Sequence, residues 1–184
     1  MNIYKKFRNY KSCNKGASAV EFALVAPIFF LVVFAIFEVG FIFLTDLAME
    51  SALTTSARLI RTGQVQCGKM LKETFQDELC KRTHSMINCD NINIEVGTYT
   101  SFTNAANLDS LFDSNGQLEN KSTFSPGGPG SINIVRTTYT YDIKTPFSNQ
   151  TQLSNYGDGK FLQVHIAAFI AEPFSCPSGG SGSS

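Results

Sequence analysis

The distribution of apolar and polar positions changes character twice along the chain. From Phe22 to Phe37 no residue is charged, and after Glu38 the apolar run resumes from Val39 to Leu44. In a helix built from these positions apolar side chains point in every direction, as lipid contact requires and a single protein core does not. The 23 positions 22–44 rise about 34 Å, enough to cross a hydrocarbon core of ~30 Å. Beyond them the pattern becomes one-sided: Leu47, Ala48, Ala52, Thr55, Leu59 and Ile60 recur at three- and four-residue spacing, with no Pro or Gly from Phe41 to Thr62. This predicts one helix over 17–62, lipid-facing in its first half and amphipathic in its second. Pro27 should kink it by removing one backbone hydrogen bond. Arg58 and Arg61 suit the negative end of the helix dipole, and Gly63 can supply the terminating left-handed residue.

The rest of the chain reads as a small head over 63–177, with a Gly/Ser tail at 178–184. Lys69 to Lys81 has helical spacing, with Met70, Leu71, Phe75 and Leu79 on one side. Alternation then predicts strands. Ile92 to Val96 puts three aliphatics on one face, and Tyr99 to Phe102 alternates after it. Ile132 to Ile143 places Val135, Tyr139, Tyr141 and Ile143 together. In Phe161 to Ile170, Leu162, Val164, Ile166, Ala168 and Ile170 alternate, with His165 on the opposite face. Residues 103–130 and 144–160 read as long polar loops. The expected fold class is α+β, a small antiparallel sheet leaning on the amphipathic half of the long helix.

Charge gives the helix a direction. The 15 basic and 15 acidic residues cancel over the chain, yet Lys5, Lys6, Arg8, Lys11 and Lys15 stand together in residues 1–16 with no acid. Just past the apolar run come Asp46 and Glu50, and no base occurs before Arg58. Basic residues stay on the cytoplasmic side, so 1–16 is expected to be a cytoplasmic leader and the head to lie on the other side, on a single-pass membrane protein. Zero net charge and the absence of a basic helix argue against nucleic acid as a partner.

Two carboxylates bear on the apolar run. Glu21 stands at its start. Glu38, 17 residues further and about 26 Å along the helix axis, is expected near the outer interface, where water reaches it. An ionisable group in lipid is costly and marks a functional hypothesis. The stretch Lys15-Gly16-Ala17-Ser18-Ala19-Val20-Glu21-Phe22 resembles the processing site of type IV pilin-like precursors. With Ala23 to Pro27 and Phe37-Glu38-Val39-Gly40, it is similar more narrowly to the TadE-like pseudopilins of the tight-adherence (Flp pilus) apparatus. Ala168-Phe169-Ile170-Ala171-Glu172-Pro173-Phe174 resembles that family's C-terminal signature, with Ala171 where the family usually carries Asn.

The resemblance implies a pilin-like fold and a prepilin-type peptidase that cuts between Gly16 and Ala17. It implies a membrane-anchored minor pseudopilin whose partners are other pilins and pilus assembly proteins. Cleavage would place a free amine on Ala17, and Glu21 and Glu38 become candidate assembly charges. A buried amine–carboxylate pair between neighbouring helices would offset desolvation costs that neither charge could bear alone. Ala17, Ala19 and Ala23 would let the backbones approach closely. An alternative is an unprocessed single-span anchor carrying a periplasmic binding module.

Cys13 lies in the leader. Cys67, Cys80, Cys89 and Cys176 fall outside the membrane in an oxidising compartment, and three connectivities are open to them. The resemblance points to Cys80–Cys89, which leaves Cys67–Cys176. Once oxidised, Cys80 and Cys89 cannot join His84 as thiolate metal ligands. No nucleophile elbow, phosphate-binding loop or C-x-x-C occurs, and Pro126 to Gly130 reads as a turn. No enzyme, cofactor, metal or small-molecule substrate is expected.

Overall fold

The computed structural model describes residues 16–83, 87–106, 108, 110–119, 123–145, 153–157 and 159–176. Most of the basic leader (Lys5, Lys6, Arg8, Lys11, Cys13, Lys15), His84 and the tail 178–184 lie outside these residues. Helix α1 covers Ala17–Arg61 with Pro27 inside it. There follow α2 (Gln64–Cys67), α3 (Lys72–Arg82), a 3-10 turn (Cys89–Asn91), β1 (Ile92–Tyr99), α4 (Phe102–Ala106), β2 (Ile132–Asp142) and β3 (Lys160–Ile170). The three strands form an antiparallel sheet in the order β1-β2-β3. The fold is α+β, with a long apolar helix and a small sheet.

The chain divides after Gly40 into two compact units. In the first, α1 carries its large apolar side chains outward: Phe22, Leu24, Val25, Ile28 and Phe29 are all exposed. In the second, the remainder of α1 packs on the sheet. Its buried positions are Ile42, Thr45, Met49, Ala52, Leu53, Ser56, Ala57 and Ile60, one stripe at three- and four-residue spacing. That stripe differs from the one expected. Leu47 is exposed and Met49 and Leu53 are the core residues, because α1 turns toward the sheet the face that also holds Ile42 and Ile60.

Register decides which face of each strand is inward. Ile92↔Tyr139, Ile94↔Thr137 and Val96↔Val135 pair across β1 and β2. Ile92, Ile94, Val96, Val135 and Tyr139 enter the core with Phe75 and Leu79 of α3. Thr137 pairs with His165, so β3 sends Gln163, His165, Ala167 and Phe169 to this same face. The aliphatic row of β3 therefore lies on the other side of the sheet, where Val164, Ile166 and Ile170 are exposed. Glu95 and Arg136, also on that side, form an ion pair with Arg136 Nε 2.9 Å from Glu95 Oε2.

Two stretches depart from the expected elements. Tyr99 ends β1 and Phe102 opens α4, so no separate strand runs from Tyr99 to Phe102. Within the expected loop 103–130, Phe124 makes a parallel bridge to Val96, with Val96 N–H donating to Thr123 O and Ser125 N–H to Val96 O at 2.8 and 2.9 Å. The segment pairs beside β1 because Phe124 packs against the core and meets the ring of Phe75 at 5.6 Å.

Candidate membrane and assembly site

Gly16 immediately precedes α1, and a Cβ there would meet nothing within 4 Å. Ala17 is the first helical residue, and Glu21 lies one turn further on, exposed. Space beside the Gly16 Cα is thus open among the described residues, and Glu21 is exposed. Helix α1 is long and apolar enough to cross a membrane. A soluble core helix of this composition would be buried. Here Phe22 is 66% and Leu24 71% exposed, an arrangement that water penalises and lipid does not.

Glu38 is only 6% exposed. A water-solvated carboxylate was expected here, and the side chain is instead buried. Glu21 and Glu38 therefore occupy different environments, one open at the start of the helix and one closed.

In the second unit β3 runs alongside the C-terminal part of α1 in the same direction. Gln163 Nε2 donates to Ile42 O at 2.8 Å and to Thr45 Oγ1 at 3.2 Å. His165 Nε2 stands 3.3 Å from Asp46 Oδ1. Just past β3, Glu172 N–H donates to Arg61 O at 2.8 Å. Nineteen helical residues rise about 28 Å and nine extended ones about 30 Å, so helix and strand keep pace along their length.

The far end of α1 is held by the C-terminal segment. Arg61 Nε lies 3.1 Å from Glu172 Oε1, but both side chains are about half exposed, so this pair contributes little by itself. The tighter contact is steric. Gly63 has φ 78°, and a Cβ on it would lie 2.3–2.6 Å from the Phe174 ring. Cys67 is disulfide-bonded to Cys176, with a Cα–Cα distance of 5.0 Å. Cys80 is bonded to Cys89 with Cα atoms 6.0 Å apart, joining α3 to the start of the 3-10 turn. Ala171, buried, donates its N–H to Ser131 O and accepts from Gly130 N–H. Glu172, Pro173 and Phe174 thus follow a backbone-anchored residue and cap the helix.

Among the described residues no three His, Cys, Asp or Glu side chains converge on a metal-binding position. Sequence patterns missed the Gln163, His165 and Asp46 contacts, because the aliphatic row of β3 dominates its alternation. They also missed Phe174 over Gly63, for which the only signal was a glycine at a helix end.

Comparison with known proteins bears on the helix alone. No curated protein and no solved structure matches the chain. One family model, described as TadE-like protein, matches residues 16–58, from the glycine before α1 almost to the helix end. Over that stretch the chain is similar to the TadE-like protein family.

Proposed function

We propose that the protein is a minor pseudopilin of a tight-adherence (Flp) pilus assembly and secretion apparatus. It would be anchored in the inner membrane by α1, with its head in the periplasm. The TadE-like family is a structural, pilus-associated family. The observation that carries the reading is the order Gly16, Ala17, Glu21 at the mouth of an exposed apolar helix, inside the matched segment. A prepilin-type peptidase cuts after Gly16 and frees the Ala17 amine. Glu21 of one subunit then meets the Ala17 amine of a neighbour, and other pilins and assembly proteins are the partners. Glu38 is a second candidate assembly charge, with a smaller part than Glu21.

The test is Glu21→Gln, which keeps the size of the side chain and removes its charge. The variant is expected to be processed and inserted but to leave cells without pili, since removing one partner of a buried pair costs about 3–5 kcal/mol. Piliation is scored by microscopy beside an immunoblot for the mature form. Wild-type piliation would sink the assembly role of Glu21.

A further inference from the structure

The seam between α1 and β3 changes composition along its length. Toward Ile60 it is mostly apolar, with Met49, Ala52 and Leu53 on the helix and Ala167 and Phe169 on the strand, and a buried Ser56 as the polar exception on the helix. Toward Ile42 it is polar, and its hydrogen bonding is incomplete. Gln163 Nε2 holds the helix through Ile42 O and Thr45 Oγ1, yet its Oε1 accepts nothing from the protein. The His165 side chain is 9% exposed, and its Nε2 lies 3.3 Å from Asp46 Oδ1 without the alignment of a hydrogen bond. Thr137, opposite His165 on β2, is fully buried with its hydroxyl unpaired. A sheet face that could have been aliphatic here instead places a titratable ring against the helix.

We propose that this seam is an acid-released clasp, in which neutral His165 keeps residues 42–50 of α1 docked on β3 and proton uptake by its imidazole undocks them. The groups facing the ring are few. The helix contributes the carboxylates Asp46 and Glu50. β2 contributes Thr137 opposite and, diagonally, Val135 and Tyr139, and burial raises the Tyr139 phenol so that it stays neutral. Gln163 and Ala167, the neighbours on β3, carry no charge. An imidazolium here would be stripped of most of its water, while the carboxylates that could compensate are partly or fully exposed and screened. Desolvation accordingly holds His165 below the ordinary histidine range, against the opposing pull of Asp46 and then Glu50.

The sign follows from linkage. Below about pH 6.5 the released imidazole binds a proton that the docked one refuses, so docking is fully stable above that value and weakens as pH falls. One proton limits the effect to about tenfold per pH unit. The inference does not depend on leader cleavage.

Hydrogen exchange of the full chain in lipid nanodiscs, at pH 7.5 and 5.0, reads the clasp directly. Protection factors over 42–50 and 160–170 are expected to fall at pH 5.0, by at most about thirtyfold for one proton over the pH interval below about 6.5, with β1 unchanged, and His165→Gln should flatten the response. Should that variant not fold, Asp46→Asn decides. Removing the carboxylate that favours the charged ring should deepen the loss at pH 5.0. Equal protection at both pH values in the wild type overturns the proposal. So does a pH response that survives His165→Gln, or an Asp46→Asn loss no greater than wild type.

Discussion

Gly63 meets two demands that only glycine satisfies together. Its φ of 78° lies in the left-handed region, and the Phe174 ring occupies the space where a Cβ would project. Gly63→Ala should therefore cost about 2–4 kcal/mol, from backbone strain added to overpacking. Thermal unfolding of the full chain in detergent should show a lowered Tm. An unchanged Tm would mean that the helix end is not held this way. Gly16 is the opposite case, since open space surrounds it. The fold should tolerate Gly16→Val, so any effect of that change reports on the peptidase and not on folding. Sequence placed Gly63 at a helix end correctly, but Phe174 lies 111 positions away, and no local pattern links them.

At the scale of elements, the C-terminal segment is the fastening of the head to its helix. Cys67–Cys176 closes a loop of 109 residues, and losing it through Cys176→Ser should destabilise the head by about 2–4 kcal/mol. Denaturant titration measures this, and a midpoint equal to wild type would contradict it. Helix α1 was legible almost to the residue, because its apolar run and its terminating glycine are local signals. Its buried stripe was not, since Leu47 and Met49 are equally apolar and only the docked sheet chooses between them. β3 shows the same limit. Its existence was legible in the alternation of Leu162 to Ile170, whereas its facing was set by the pairing of Thr137 with His165. Polar Gln163 and His165 face inward because the helix offers Ile42 O, Thr45 and Asp46 at that height.

For the whole molecule, what the helix does depends on where the mature chain begins. Four of the five cysteines are paired in two disulfides, and Cys13 precedes Gly16. Thiol labelling of the unreduced, denatured protein should find no free thiol if the leader has been removed. One thiol would indicate that the leader is retained. The proposed leader and its cleavage rest on local signals, its charges and Glu21 five positions after Gly16; the head's role was not legible, because packing alone explains most of its residues. The most direct test of the pseudopilin reading is the N-terminal sequence of the protein purified from host membranes, with Gly16→Val as control. A chain beginning at Ala17, with Gly16→Val retained as the longer precursor, is the predicted result. A wild-type chain that still begins at Met1, in cells whose prepilin-type peptidase is active, would contradict the account.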